Sequence, residues 1–256
     1  MTDFQKEVDD RIASYRDETE MVETAAKFLQ ASTQPKYCYN FSWQGRPIIQ
    51  YPQDIVAIQE LIWQVKPDLI IETGIAHGGS LIFSASILAM LDMNDAIEAG
   101  TTLDPTKSSR KVLGVDIDIR KHNRIAIEAH PMASRIQMIQ GSSISEEVVA
   151  EVKSIASQYN RVMVCLDSNH THDHVRVELE HYAPLTSKDS YCVVFDTLIE
   201  DMPAKEYPDR PWGPGDNPKT AVWDYLKSHP EFEIDKAIAD KLLITVAHDG
   251  FLKRTA

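Results

Sequence analysis

Leu69-Ile70-Ile71-Glu72-Thr73-Gly74-Ile75-Ala76-His77-Gly78-Gly79-Ser80 decides the fold of this chain: an apolar run, a carboxylate, a glycine-bearing turn and a helix start follow one another without a break. Leu69 to Ile71 suit a parallel strand covered on both faces. Gly74 and the Gly78-Gly79 pair let the backbone pass close to a ligand, and Ser80 can open the next helix. From Ser80 to Leu91 nearly every residue is apolar or small, so that helix should lie buried against the sheet.

The turn does not carry the dinucleotide fingerprint, because the spacing from Gly74 is G-x-x-x-G-G. Glu72 at the strand end would repel a phosphate. A carboxylate ahead of a glycine turn suits a ligand with a cationic or hydroxyl-rich portion, and S-adenosylmethionine offers an ammonium, a sulfonium and a ribose. An ordinary strand-to-helix turn of any α/β protein accounts for the same residues without a ligand.

The downstream chain repeats the pattern. Val112 to Ile117 reads as a second strand ending at Asp116, where one carboxylate can grip a ribose diol. Arg135 to Ile139 reads as a third, followed by Gly141-Ser142-Ser143, a small polar turn able to flank an adenine. Arg161 to Leu166 leads to Asp167, and Tyr191 to Phe195 leads to Asp196. Helical spacing separates these strands at about 80–91, 121–129, 144–157 and 173–182. The alternation predicts a doubly wound, mostly parallel sheet with ligands at the carboxyl ends of its strands. Glu72, Asp116, Asp167 and Asp196 would then share one edge, although a lone acid there is more commonly a helix cap.

The 256 residues, 43% hydrophobic, can bury a substantial core. Residues 1–50 form an extension ahead of the domain at 51–256. Within it, 3–30 carries Phe4, Val8, Ile12 and Tyr15 at helical spacing, which predicts an amphipathic helix packed on its own core, on a second subunit or over the site. Tyr37 to Trp43 reads as a short strand or a lid, 53–65 as a helix begun by Pro52, and 93–109 as a surface loop. A formal charge of −13 leaves no basic stripe for nucleic acid or anionic membrane. We expect no membrane span and no leader at Met1, hence a cytoplasmic protein; a homo-oligomer is a separate expectation. Cys38, Cys165 and Cys192 lack metal spacing, and the latter two sit in core strands.

The densest chemistry is Asp167-Ser168-Asn169-His170-Thr171-His172-Asp173-His174, directly after a strand. Asp167 and Asp196 end strands expected to be neighbours, which brings two hard oxygen ligands together as Mg2+ prefers. Iron in an oxygenase more typically takes two histidines and a carboxylate. His172 and His174 read most simply as surface residues beside a helix N-cap, whereas His170 is nearer the strand end.

These motifs, with Arg210-Pro211-Trp212-Gly213-Pro214-Gly215 and Gly250-Phe251-Leu252-Lys253-Arg254, resemble the cephalosporin hydroxylase family over roughly 51–254. That family is similar in fold to class I S-adenosylmethionine-dependent methyltransferases and to rhamnosyl O-methyltransferases. The resemblance implies a Rossmann-like α/β fold, with a seven-stranded doubly wound sheet closed by an antiparallel pair among 232–234, 242–246 and 251–254. It implies that Glu72, Gly74, His77, Gly78 and Ser80 line the methionine side, Asp116 the ribose, Ser142 and Ser143 the adenine, with Asp167 bordering the cofactor. It also implies Asp167 and Asp196 as Mg2+ ligands. Such relatives often carry a third ligand beside the second, but Phe195 and Thr197 flank Asp196 here, which leaves that ligand unassigned. The loop at 197–219 should cover the strand ends, with Arg210 and Lys219 free to meet an anionic substrate or simply exposed. The expected activity is O-methyl transfer to a sugar or natural-product hydroxyl, with Asp167 and His170 as catalytic groups and His170 the base. A metal-dependent oxygenase and a cofactor-binding partner subunit without catalysis are the alternatives.

Overall fold

The structure, a computed structural model, describes residues 2–256. Its strands are β1 (Phe41–Trp43), β2 (Arg46–Ile48), β3 (Leu69–Thr73), β4 (Lys111–Asp116), β5 (Ile136–Gln140), β6 (Val162–Leu166), β7 (Tyr191–Val194), β8 (Phe232–Ile234) and β9 (Phe251–Arg254). The helices are α1 (Asp3–Tyr15), α2 (Thr19–Thr33), α3 (Pro52–Val65), α4 (Gly79–Ala99), α5 (Lys121–Glu128), α6 (Glu146–Ala156), α7 (His172–Tyr182), α8 (Pro218–Leu226) and α9 (Lys236–Leu242). Strands β3 to β9 form one sheet in the order β5-β4-β3-β6-β7-β9-β8, and β1 and β2 form a separate hairpin. The pairs from β5 through β7 are parallel, and β9 is inserted antiparallel between β7 and β8.

Strand residues alternate between two cores. Ile70, Val112, Met163 and Val193 face α3 and α4. Leu69, Ile71, Val115, Val164 and Val194 face α6, α7 and α8. Burial on both faces explains why these strands read as continuous apolar runs. The chain leaves β3 for β4 and β5 on one side, then crosses back to β6 on the other, so the order reverses at β3. At that switch point a crevice opens outside the strand ends. The Gly74 N–H donates to the Val115 carbonyl at 2.8 Å, and Asp167 N–H donates to the Thr73 carbonyl at 3.0 Å, which ties the three strand ends together.

Several sequence expectations are corrected. The N-terminal stretch is two helices, α1 and α2, and α1 has no buried residue; Phe4 is 68% exposed, so its apolar stripe does not enter this chain's core. Helix α4 runs on through residues expected as loop and stops at Gly100, whose φ of 63° supplies a left-handed cap. At 21 residues α4 is long and apolar enough to cross a membrane, contrary to the expectation, yet Leu81, Ile82 and Leu88 are fully buried in the core. Residues 242–246 are not a strand; Leu243 turns at φ 58°, and the antiparallel pairing falls to β8 and β9. Tyr37–Asn40 is a 3-10 turn leading into β1.

Candidate functional site

Side chains hold several backbone groups of the turn after β3. Asp116 accepts from the N–H of Ile75 at 2.8 Å and of Ala76 at 3.2 Å with one oxygen, and from Asp118 N–H at 2.9 Å with the other. Asn123 donates to the Ala76 carbonyl at 2.8 Å, and Arg46 donates to the His77 carbonyl at 2.6 Å. Asp116 therefore shapes the turn, and its Oδ1, with one bond accepted, retains acceptor capacity for a ligand. The glycines make room for protein rather than open space. A Cβ on Gly74 would stand 2.1 Å from the Asp167 carbonyl oxygen, and one on Gly79 would stand 2.1 Å from that of Pro47. Close approach of β6 and of the hairpin to this turn is what the sequence requires here.

Glu72 lies in the strand, 5% exposed, and accepts a short hydrogen bond from Ser80. Ser80 thus ties the start of α4 to β3 instead of capping the helix. Burial pushes the Glu72 carboxyl up to about 7, with Ser80 pulling the other way and Asp116 adding repulsion. Asp167 sits above its usual range as well, through burial and through the charges of Asp196, Glu72, Glu178 and Asp54. Asp196 occupies the left-handed region at φ 55°, an uncommon conformation for a residue with a side chain. Its Oδ2 lies 3.1 Å from His170 Nε2, and the His170 ring meets Trp212 edge-on at 4.8 Å. One ligand atom from each of Asp167, His170 and Asp196 can be chosen so that all three lie within 4.8 Å of one another.

A cavity of about 630 Å³ opens over these groups, within the range of small-molecule sites. Gly74, His77, Ser80, Asp167, His170 and Asp196 line its floor, and Tyr39, Tyr51, Tyr207 and Trp212 line its walls. Part of the wall comes from the segment ahead of α3. The β1–β2 hairpin is fixed there by Arg46 and by Trp43, which donates to Ser86 Oγ at 2.9 Å and packs edge-on against Phe83. Thr33, Gln34, Lys36 and Cys38, which follow the stretch 3–30, reach the cavity, whereas within 3–30 it is Ala25 and Leu29 of α2 that are buried against this chain's own core. Burial raises the Cys38 thiol to about 11, which keeps it protonated.

The structure divides the expected cofactor residues. Glu72, Gly74, His77, Ser80 and Asp167 gather at the cavity, with Glu72 just beneath it. Asp116, Gly78, Ser142 and Ser143 lie outside its lining, and Asp116 and the two serines follow the strand ends toward β5. His172 Nδ1 pairs with Thr220 Oγ1 at 2.8 Å, a structural role. His174 is more enclosed than expected, 3.1 Å from Ser143 Oγ and 3.6 Å from Glu178. Lys219 is not available to a substrate: its ammonium is buried against both oxygens of Asp201 at 2.7 and 2.9 Å. Arg210 does line the cavity, stacked over Trp212 at 5.2 Å. Phe195 has no ligating atom and the Thr197 hydroxyl donates to the Val246 carbonyl at 3.3 Å, so His170 is the third group beside the two acids.

Sequence reasoning missed Gln50, Asp54 and Glu178. Asp54 is fully buried and accepts from Thr245 Oγ1 and, at 3.1 Å, from Val246 N–H, which anchors the turn carrying Val246 into the cavity wall. Burial lifts its carboxyl to about 7. In the sequence it looks like an ordinary acid in the first turn of a helix. Glu178, fully buried, accepts from Ser168 Oγ at 2.6 Å, and its spacing four residues after His174 was the available signal.

A family model described as Rhamnosyl O-methyltransferase/CmcI matches residues 35–255. Curated relatives include a rhamnosyl O-methyltransferase of Mycobacterium leprae (strain TN), 26% identical over 215 residues, covering 83% of this chain and 82% of that protein. Another, of Mycobacterium tuberculosis (strain ATCC 25618 / H37Rv), is 27% identical over 206 residues, covering 78% and 73%. Among solved structures, a CmcI apo-structure superposes with a TM-score of 0.56 at 18% identity, covering 85% of this chain and 77% of that one. A CmcI structure with Mg and SAM gives 0.56 at 16% identity, covering 85% and 78%. These likenesses establish the fold.

Proposed function

The chain belongs to the Rhamnosyl O-methyltransferase/CmcI family, and from that premise we propose that it is an S-adenosylmethionine-dependent, Mg2+-assisted O-methyltransferase. The acceptor is a hydroxyl of a sugar or natural product, met in the cytoplasm. The observation that carries the reading is the convergence of Asp167, His170 and Asp196 on the floor of a cavity that also contains the turn after β3. The relatives named rhamnosyl O-methyltransferase and the CmcI structure with Mg and SAM support it.

The donor set fits Mg2+. Asp167 and Asp196 offer hard oxygens, and the crowding of negative charge that raises Asp167 is what a divalent cation relieves. Two carboxylates with one imidazole are not the two-histidine set of an iron oxygenase, since His172 and His174 are committed elsewhere. When bound, the metal would hold the acceptor oxygen and lower its pKa. Asp167 and Asp196 would fix the ion, and His170, braced by Trp212 and lying 3.1 Å from Asp196, would take the acceptor's proton once Asp196 turns to the ion and frees its Nε2. The turn after β3, with Glu72 and Ser80, would hold the amino-acid end of the methyl donor, and Asp116 with Ser142 and Ser143 its nucleoside end. The aromatic walls would orient the acceptor ring, so that the residues contribute mainly alignment.

The test uses protein stripped of metal and supplied with Mg2+, methyl-labelled S-adenosylmethionine and a panel of hydroxylated sugars and natural products under anaerobic conditions. Labelled product that EDTA abolishes is expected. Product that requires iron and oxygen and carries no label would overturn the reading.

A further inference from the structure

Gln50 sits in the short link between β2 and α3, ahead of the sheet domain, and is 9% exposed. Its Nε2 donates to Asp167 Oδ2 at 3.4 Å, while its Oε1 is buried without any hydrogen-bond partner. A buried carbonyl oxygen lacking a donor is uncommon and calls for a physical explanation. Gln50 lies on the wall shared by the main cavity and a recess of about 30 Å³ beneath it. That recess has room for one group the size of a water or an ammonium. Its polar lining is Gln50, Asp54, Glu72, Asp167, Ser80 and Ser84. Ser80 already spends its proton on Glu72, and Ser84 is the one other hydroxyl.

Ile48, Ile55, Ile58, Phe83 and Phe195 form most of the recess wall, and the acids with the orphaned amide oxygen make a narrow polar strip along it that has few donors of its own. That strip, shared with the main cavity beside Asp167, favours a small cationic group with several N–H bonds over an anionic one. We propose that Gln50 is a cofactor-binding residue whose Oε1 accepts a hydrogen bond from the ammonium at the amino-acid end of S-adenosylmethionine. The inference rests on the methyl-donor reading above and adds to it a ligand from outside the sheet domain. It explains why the hairpin leading to Gln50 is bolted to the turn by Arg46 and packed directly on Gly79: a small shift there would carry the amide away from the recess. The amide also couples the donor end to Asp167 through Nε2.

The test compares two ligands by calorimetry. S-adenosylhomocysteine carries the ammonium, and 5′-methylthioadenosine keeps the nucleoside and thioether but lacks the amino-acid portion. Gln50→Met preserves length and removes the acceptor. It is expected to weaken S-adenosylhomocysteine about tenfold and to leave methylthioadenosine within about twofold of the parent. Gln50→Glu, which restores an acceptor, is expected to bind S-adenosylhomocysteine within about threefold of the parent. Equal weakening of both ligands, unchanged S-adenosylhomocysteine affinity in Gln50→Met, or a loss confined to Mg2+ affinity would each overturn the proposal. A parent protein that binds neither ligand would instead remove the methyl-donor reading, and this inference with it.

Discussion

Gly79→Ala tests whether the hairpin is a working wall of the site. Gly79 opens α4 with an ordinary helical backbone, so alanine suits its local conformation and gains up to about 1 kcal/mol of helix propensity. Sterics oppose it. The new Cβ would stand 2.1 Å from Pro47 O, 2.6 Å from Pro47 C and 2.8 Å from Ile48 Cα, where ordinary contact begins at 3.4 Å. All three neighbours are backbone, so the hairpin must withdraw by roughly 1 Å, and overpacking of this kind costs about 1–3 kcal/mol. A net loss of about 1–2 kcal/mol lowers the melting temperature by roughly 2–4 °C in a chain of this size. The same displacement carries Gln50 from the recess and strains the Arg46 bond to the turn, so affinity for S-adenosylhomocysteine should fall about tenfold or more. Thermal melts and calorimetry measure both, with Gly213→Ala as the control because its Cβ would meet nothing within 4 Å. A Gly79→Ala protein that melts and binds like its parent would refute the packing argument. Lost stability with unchanged affinity would show that the hairpin is no part of the ligand site.

Asp167→Asn should abolish Mg2+ dependence and methyl transfer while the metal-free protein melts no lower than the parent, because burial beside Asp196, Glu72 and Glu178 already disfavours the anion; a large fall in melting temperature would contradict this. His172→Ala removes a hydrogen bond to Thr220 and should cost about 1 kcal/mol of stability with most activity retained, so equal inactivation of the two variants would mean the histidine cluster acts as one site. Asp54 carries its carboxyl near 7 in the folded protein against about 3.9 unfolded, so the folded state holds the proton more tightly. Its contribution is full below about pH 4 and is lost as pH rises to about 7, with an upper bound of about 4 kcal/mol. Asp54→Asn should therefore gain in melting temperature relative to the parent between pH 5 and pH 8, and parallel pH profiles would contradict the assignment.

The sheet was legible because its strands are buried on both faces, which forces apolar runs such as Leu69 to Ile71 and Val162 to Leu166, each ending in an acid at the crevice. The same rule misled at 242–246: Leu242, Leu243, Ile244 and Val246 are apolar enough for a strand, but tertiary bonds from Asp54 to Thr245 and Val246 hold the segment as a turn. Helix α4 outran its reading because the acids after Leu91 looked like loop residues but are held by distant partners, Asp92 by Arg110 and Arg135 and Asp95 by Arg110, and the stop at Gly100 went unread. Asp167, His170 and Asp196 were legible from their place after strands. Gln50 was not, since an amide before Tyr51-Pro52 has no pattern and only the tertiary approach of the hairpin places it beside Asp167. Lys219 looked free because its partner Asp201 lies 18 residues earlier in the chain.

Titration of S-adenosylhomocysteine into the purified protein with Mg2+ present tests the central claim most directly. One ligand per chain is expected, and Asp116→Ala should weaken it about tenfold or more, because the substitution frees the Ile75 and Ala76 N–H groups and removes the ribose acceptor together. No detectable binding by the parent protein, or binding indifferent to Asp116→Ala, would contradict the account.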